Sequence, residues 1–224
     1  MIDFQNVSYT HQKGRGVTNL SFSIDEGEFV FLIGPTGSGK TTLMRLIYFD
    51  LFCDSGKLSV GNFRSEKMKK SHVPSLRRDI GMVFQDYHLL NDRNVFHNVA
   101  LPLHVVGCDA SEISYRVEDA LGMVGFEGKR GHYPDELSGG EKQRVTLARA
   151  IVKEPDIILA DEPTGNLDST TSKDIMKVFV DLNAQGQTIV IVTHENDIAE
   201  YAERQVHLLD GLIDKDFLND KGGV

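Results

Sequence analysis

The hydrophobic pattern of the chain alternates between short, almost uninterrupted apolar runs and longer stretches of mixed polarity. The apolar runs cover residues 29–33, 80–84, 157–160 and 188–192. Runs of this length are typical of parallel β-strands whose two faces are both covered by helices. The pattern therefore predicts an α/β fold with a mostly parallel core sheet and helices on both of its faces.

The mixed stretches between these runs have apolar residues at helical spacing, at 40–48, 111–124 and 169–185. In the last of them, Ile175, Phe179 and Leu182 fall on one helical face, and Gly186 follows its end. Three- and four-residue spacing places side chains on a single stripe, and glycine commonly ends a helix. We expect a helix in each stretch, and we expect the helix at 111–124 to start from its serine.

Both ends of the chain show the two-residue alternation of antiparallel strands. Residues 1–8 and 20–26 alternate in this way, and Asp210-Gly211 separates two short apolar runs near the C-terminus. Asp-Gly between apolar runs is a signal for a tight β-hairpin. Residues 86–140 contain no strong strand run. We therefore predict an antiparallel β subdomain and an inserted, mostly helical subdomain.

The strongest local motif, G-x-x-x-x-G-K-S/T, lies between the apolar run at 29–33 and the helical stretch at 40–48. Its residues are Gly34, Pro35, Thr36, Gly37, Ser38, Gly39, Lys40, Thr41 and Thr42. Glycines let the backbone N–H groups converge on one point, and the helix N-terminus adds partial positive charge. Lys40 can reach the β- and γ-phosphates of a nucleotide, and the Thr41 hydroxyl can coordinate Mg²⁺. The motif predicts a phosphate-binding loop for ATP and Mg²⁺; the alternative is a glycine-rich turn without a ligand.

Two adjacent acids, Asp161 and Glu162, follow the apolar run at 157–160. Open α/β sheets bind ligands at the carboxyl ends of their strands, where these acids would lie. We expect Asp161 to hold Mg²⁺, and we expect Glu162 to polarise the water that attacks the γ-phosphate. The alternative is that the two acids cap a helix.

A second anion-binding feature is the pentapeptide Leu137-Ser138-Gly139-Gly140-Glu141, which precedes a helical stretch at 142–152. Its hydroxyl and amide groups would lie at a helix N-terminus, which attracts phosphate. A chain with two features of this kind suggests two copies that share two nucleotides.

With this pentapeptide, the chain resembles the ABC ATPases over essentially its whole length. The resemblance implies a P-loop NTPase fold of ABC type and a head-to-tail homodimer. In such a dimer the pentapeptide of one subunit, the family's signature, caps the ATP bound to the other. The resemblance also implies a metal-sensing role for Gln85 and contact of His194 with the γ-phosphate. It places Asp168 in the family's D-loop, which is Gly165-Asn166-Leu167-Asp168 here.

The N-terminal region departs from the common ABC pattern at the position that stacks on adenine. Asn6-Val7-Ser8 is followed by His11, where the family usually has an aromatic residue. Imidazole can stack on adenine, but with a smaller area. We expect His11 to contact the base weakly and Tyr9 to be a core residue.

The resemblance predicts a single domain over residues 1–224. The nucleotide-binding core takes about 1–85 and 150–216, the helical subdomain with the signature takes about 86–149, and residues 217–224 form a flexible tail.

Residues 77–103 contain the pattern FQD…LL.DR.V..NVALPL, which most resembles the FtsE family of cell-division ATPases. This resemblance implies an FtsX-like integral membrane partner and a role in activating cell-wall hydrolases. ADEPTGNLD at 160–168 is shared with lipoprotein-release and macrolide-export ATPases, which remain the alternative.

The segment after Gln85 carries more apolar side chains than a solvated loop needs, at Tyr87, Leu89, Leu90, Val95 and Phe96. Exposed apolar patches mark docking surfaces, so this segment is a candidate site for the membrane partner. The alternative is that these side chains pack inside the helical subdomain.

Charge and composition exclude several other classes. The net charge of −9 and a pI of about 5.3 disfavour direct binding to nucleic acid. A soluble nucleic-acid-associated ABC ATPase is therefore a minor alternative, and the basic cluster at 64–78 is best explained as a solvated face. No apolar run reaches the ~20 residues that span a bilayer. We expect a cytoplasmic protein held at the cytoplasmic face of the inner membrane by its partner.

Overall fold

The computed structural model describes residues 1–12, 14–194 and 198–219. The strands are β1 (Ile2–Thr10), β2 (Gly16–Ile24), β3 (Phe29–Ile33), β4 (Ser55–Val60), β5 (Phe63–Arg64), β6 (Ile80–Val83), β7 (Ile157–Asp161), β8 (Thr188–Thr193), β9 (Arg204–Leu209) and β10 (Leu212–Leu218). The α-helices are α1 (Lys40–Ile47), α2 (Val73–Arg78), α3 (Val95–Val106), α4 (Ala110–Met123), α5 (Gly139–Ile151) and α6 (Ser169–Ala184). Short 3₁₀ turns occur at Ser65–Lys67, Lys70–His72, Pro134–Glu136 and Ala199–Tyr201.

The chain divides into two compact units. The first contains Met1–Arg77 and Asn183–Val224, and the second contains Arg78–Leu182. The second unit is larger than the helical subdomain predicted at 86–149, because it also includes β6, β7 and α6. The predicted boundaries followed the motifs, whereas the parallel pairing of β6 with β7 joins segments on either side of the helical stretch.

The first unit contains an antiparallel sheet in the order β2-β1-β4-β5 and a second group of strands around β3. Strand β3 is buried over its whole length and pairs in parallel with β8 and with β9. Helix α1 contacts β2 and β8. Parallel strands that are buried on both faces confirm the predicted α/β class.

The C-terminal hairpin is longer than the sequence pattern predicts. Strand β10 pairs with β9 as far as Leu218, which lies opposite Arg204. Residues 217 and 218 therefore belong to β10 and not to a tail. Their side chains are exposed, but their pairing with β9 keeps the backbone in the sheet. The Asn219 N–H donates to the Glu203 carbonyl oxygen at 2.7 Å, and residues 220–224 of the predicted tail lie outside the described residues.

The second unit combines the parallel pair β6–β7 with helices α3, α4 and α5, which contact one another. Asn94 caps the N-terminus of α3, and Gly107 ends the helix in the left-handed region at φ 76°. Helix α4 starts one residue before the predicted serine, because the Asp109 carboxylate accepts the Ser111 N–H and caps the helix. Within the described residues, no helix is both long and apolar enough to cross a membrane.

Candidate functional site

The phosphate-binding loop of the first unit connects β3 to α1 in a conformation that requires glycine. Gly37 and Gly39 have φ values of 85° and 109°, which side-chain-bearing residues rarely adopt. A Cβ on Gly34 would lie 2.2 Å from the Leu208 carbonyl oxygen, and one on Gly39 would lie 2.8 Å from Val17 Cγ1. The loop therefore keeps its curled shape only with glycine at these positions.

The Lys40 ammonium is bound to the backbone of the loop, at the place where a phosphate would bind. Its Nζ donates to the carbonyl oxygens of Gly34, at 2.6 Å, and Pro35, at 3.1 Å, and the side chain is buried. Among the described residues, the buried Ser38 hydroxyl has no hydrogen-bond partner. A curled loop with a lysine folded over it and a buried hydroxyl fits a triphosphate, because each group can donate to phosphate oxygens.

The remaining predicted residues of the first unit are His11 after β1, Thr41 and Thr42 in α1, and His194 after β8. Thr42 is buried and its Oγ1 lies 3.0 Å from Nε2 of His11, while Thr41 is exposed. Tyr9 is half-buried and not a core residue; its ring meets the His11 ring edge-on at 4.8 Å. His194 follows β8 directly and is exposed. The structure thus fixes the His11 ring at the first turn of α1.

The signature lies at the N-terminus of α5 in the second unit. Ser138 is the N-cap: its hydroxyl accepts the Glu141 N–H, and the Glu141 carboxylate in turn accepts the Ser138 N–H at 2.9 Å. Lys129 also donates to Glu141. The lysine hydrogen bond, followed by the Ser138 amide, lowers the pKa of Glu141 from 4.5 to about 2. The Ser138 N–H and hydroxyl, which are predicted to bind phosphate, therefore both donate to the Glu141 carboxylate in this chain.

The two signature glycines lie against neighbouring segments of the same unit. A Cβ on Gly139 would lie 3.1 Å from the Tyr87 hydroxyl, and one on Gly140 would lie 2.4 Å from Thr171 Cγ2. A side chain at Gly140 would displace Thr171, whereas one at Gly139 would require only a small shift of the Tyr87 hydroxyl. These distances also show that the signature packs against the start of α6 and the segment that follows β6.

Gln85 and the D-loop come together within the second unit. Asn166 Nδ2 donates to the Gln85 carbonyl oxygen at 3.0 Å, and a Cβ on Gly165 would lie 3.0 Å from Gln85 Nε2. Gln85 is exposed, so its amide is accessible.

The acidic pair ends β7, with Asp161 as its last residue and Glu162 directly after it. Glu162 has a φ of 47°, in the left-handed region that side-chain-bearing residues seldom occupy. Such backbone strain is concentrated at functional sites, where the surrounding structure maintains it. The helix-capping alternative does not describe these acids, because α6 starts at Ser169 and its first N–H groups donate to Asp168.

Asp168 has a local role that its sequence position did not reveal. Its carboxylate accepts the N–H groups of Thr170 and Thr171, each at 3.1 Å, and the Thr171 hydroxyl at 2.6 Å. The Thr171 hydroxyl and then its backbone N–H lower the pKa of Asp168. Asp168 therefore caps α6.

Three residues near these motifs were not identified from the sequence: Lys129, Asn98 and Arg149. Lys129 donates a hydrogen bond to Glu141, and Arg149 donates one to the backbone of the segment after Gln85. Asn98 accepts a hydrogen bond from the backbone of the loop before α3. Lys129 and Arg149 lie 12 and 62 residues from the groups they bind, so neither has a local signal. For Asn98, the only available signal is a polar residue at a position where α3 is otherwise apolar.

Comparison with known proteins agrees with these features. The family model described as "ABC transporter" matches residues 17–165. The chain is 44% identical over 205 residues to the cell division ATP-binding protein FtsE of Mycobacterium tuberculosis (strain ATCC 25618 / H37Rv), covering 92% of this chain and 89% of that protein. It is 43% identical over 213 residues to FtsE of Escherichia coli (strain K12), covering 94% and 96%.

Two solved structures have the same fold. The dimeric ATP-binding cassette MJ0796, in a post-hydrolysis state bound to ADP and Pi, matches with a TM-score of 0.87 and 36% identity, covering 97% of this chain and 98% of that one. cbiO1 from Clostridium perfringens, part of the cbiONQ transporter complex, matches with a TM-score of 0.89 and 29% identity, covering 96% and 87%.

Proposed function

The chain belongs to the ABC transporter family of ATPase domains, and on that premise we propose that it drives a membrane partner in cell division by closing a homodimer around ATP. The chain is an ATPase: it binds and hydrolyses ATP. The dimer, the partner and the individual roles of the site residues are the proposed part.

The observation that carries the proposal is the presence of two phosphate-directed features on one chain. The loop around Lys40 is curled for a triphosphate, and Ser138 presents a capped helix N-terminus. A single nucleotide needs only one loop, so the second feature is explained if it completes the site of another copy. The dimeric state of MJ0796 supports this arrangement.

The chemistry needs few groups. Lys40 and the loop amides would bind the β- and γ-phosphates, and His194 would contact the γ-phosphate. Glu162 would orient the attacking water and accept its proton, for which a carboxylate at a strand end is suited. Ser138 and Gly140 of the second copy would donate hydrogen bonds to the charge that develops on the γ-phosphate. His11 would stack on the adenine.

Oxygen donors suited to Mg²⁺ are present in each unit: the Thr41 hydroxyl in the first, and the Gln85 amide and Asp161 carboxylate in the second. Mg²⁺ prefers such hard oxygen ligands. When bound, the ion neutralises charge on the β- and γ-phosphates. We assign these three residues as its ligands, with Asp161 acting through water.

The proposed partner is an FtsX-like integral membrane protein, which would hold the ATPase at the cytoplasmic face of the inner membrane. The relatives named above are cell-division proteins and match over about nine-tenths of both chains. This supports the division role over lipoprotein release or macrolide export, to which these relatives' names do not refer.

The apolar segment after Gln85 separates into buried and accessible side chains. Val95 is buried and belongs to the core, whereas Leu90 is 40% exposed. Phe96 is half-buried, with the Arg130 guanidinium 5.1 Å from its ring centre. We therefore assign partner docking to Leu90 and Phe96 and not to Val95.

The test is purification of Glu162→Gln from its own cells in detergent with ATP, followed by identification of the bound membrane protein. This variant should retain ATP and the dimer because it lacks the base. An FtsX-like partner supports the division role, and a lipoprotein-binding or export partner transfers the function to transport. Recovery of a monomer at saturating MgATP contradicts the shared-site model.

Leu90→Glu in the same background should release the partner while ATP binding persists, because it places a charge on an apolar contact. Leu212→Glu is the matched control, since Leu212 is 49% exposed and lies on β10 in the other unit. Equal recovery of the partner with both variants would exclude Leu90 from the docking surface.

A further inference from the structure

The two residues that follow Asp86 have unusual backbone conformations. Tyr87 has a φ of 56° and His88 a φ of 48°, and neither is glycine. Left-handed conformations are unfavourable for bulky residues and persist only where surrounding contacts maintain them. The segment directly after Gln85 therefore requires an anchor.

That anchor comes from the signature helix α5. Arg149 donates through Nη2 to the Tyr87 carbonyl oxygen and through Nη1 to the His88 carbonyl oxygen, both at 2.7 Å. The Thr146 hydroxyl lies 3.2 Å from the same Tyr87 oxygen and 3.0 Å from the Lys142 carbonyl oxygen, and these two acceptors share its single hydrogen. Two consecutive carbonyls are thus held by one planar guanidinium, which fixes the peptide between them in a way that an ammonium group cannot.

The side chain of Tyr87 makes a second link to the same helix. Its hydroxyl lies where a Cβ on Gly139 would come within 3.1 Å. Tyr87 therefore contacts α5 at both ends, near Arg149 through its carbonyl and near the signature through its hydroxyl. Gln85 is two residues away along the chain, so these contacts connect its segment to the helix that carries Ser138.

The environment of Arg149 favours positioning over simple charge pairing. Its hydrogen bonds in the described part of the chain go to carbonyl oxygens and not to a carboxylate. Burial lowers the pKa of its guanidinium. An arginine kept mainly for stability would gain more from a carboxylate partner, whereas two carbonyls define a geometry.

We infer that Arg149 is a positioning residue for ATP hydrolysis, which couples the segment after Gln85 to the signature helix so that both move together. The inference rests on the proposed role of Gln85. It adds a residue that donates hydrogen bonds to the backbone of the segment after Gln85, and whose loss should impair turnover more than binding.

The test compares Arg149→Lys with Arg144→Lys by steady-state ATP hydrolysis, ATP binding and thermal unfolding. Arg144 is the matched control, because it lies on the same helix, is half-buried and also donates to a carbonyl oxygen, that of Val124. Arg149→Lys should lower kcat on the order of 10-fold with KM within about twofold of the parent. Arg144→Lys should lower the melting temperature similarly and retain kcat.

A milder variant, Thr146→Val, keeps the test informative if Arg149→Lys folds poorly. It removes one donor to the Tyr87 oxygen and should lower kcat in the same direction by a smaller factor. Unchanged kcat in both variants, or an equal loss in Arg144→Lys, would overturn the inference.

The double variant Gln85→Ala/Arg149→Lys separates this inference from the function on which it depends. If both residues act in one unit, the double variant loses no more activity than Gln85→Ala alone. Additive losses contradict the coupling. A Gln85→Ala variant with parental kcat would refute the role proposed for Gln85, whereas loss in Gln85→Ala without loss in Arg149→Lys refutes only the role of Arg149.

Discussion

Glu141 connects helix capping to the chemistry of the signature. Its carboxylate accepts hydrogen bonds from the Ser138 N–H, the Ser138 hydroxyl and the Lys129 ammonium. The donors that a phosphate would use are thus held by a carboxylate of the same helix in the isolated chain. We conclude that a phosphate at this position has to share the Ser138 hydroxyl with Glu141.

This arrangement makes the stability of α5 dependent on pH. The folded-state pKa of Glu141 is about 2, below its ordinary 4.5, so its contribution is fully present above about 4.5 and is lost as the pH falls toward 2. Glu141→Gln keeps an oxygen that can accept the Ser138 N–H but removes the charge, so it should lower the free energy of unfolding at pH 7 by roughly 0.3–1 kcal/mol. The difference from the parent protein should shrink at pH 3 in urea unfolding.

Glu127→Gln is the control for this pH experiment, because Glu127 is exposed and lies in the same unit. It should match the parent at both pH values. A Glu141→Gln difference that stays constant from pH 7 to pH 3 would show that the charge of Glu141 contributes nothing to the cap.

Among the structural elements, α3 organises the loop before it through a single buried amide. Asn98 accepts the Leu90 N–H at 2.8 Å and donates to the carbonyl oxygens of Leu90, Arg93 and Asn94 at 2.9–3.1 Å. The side chain is fully buried. The exposed Leu90 that we assign to partner docking is therefore held by an interior residue one turn into the helix.

Asn98→Leu should lower the free energy of unfolding by about 2 kcal/mol, because it leaves buried backbone groups without partners. It should also weaken partner recovery, since the Leu90 backbone is no longer held. Asn94→Ser, which keeps an N-cap on α3, should change stability by only a few tenths of a kcal/mol. Urea unfolding of both variants measures the difference, and equal stabilities would contradict the anchoring role.

For the whole molecule, the proposed function requires that one chain alone cannot form a complete site for ATP hydrolysis. The loop with Lys40 and the signature with Ser138 belong to different units of the chain. If each completes the other only across two copies, hydrolysis depends on association. ATP hydrolysis per mole of protein should then rise with concentration until the dimer saturates, whereas a rate strictly linear in enzyme concentration contradicts this model.

Mixing two inactive variants gives a sharper version of the same test. Lys40→Met disables the loop, and Ser138→Arg disables the signature. A mixed dimer retains one intact site, so an equal mixture should recover about a quarter of the parental activity if the two copies exchange freely. No recovery after mixing would indicate that both features serve the same chain.

The sequence by itself determined the parts of this protein that depend on neighbouring residues. The apolar runs at 29–33 and 157–160 became β3 and β7, and the helical stretch at 169–185 became α6. A strand that is buried on both faces is apolar at nearly every residue, so local composition is sufficient to predict the strand. The glycine-rich loop before α1 and the helix that follows Ser138 were likewise predicted, because glycine spacing and a capping serine are local signals.

Only the tertiary structure decided which distant groups meet. The end of β10 depends on cross-strand bonds with β9, and the positive φ of Glu162 depends on the packing that surrounds it. Arg149 and Lys129 find their partners far along the chain. Such contacts have no periodicity in the sequence, because loop lengths set the separation of the two residues along the chain. Whether they form a hydrogen bond depends on where the folded elements place them.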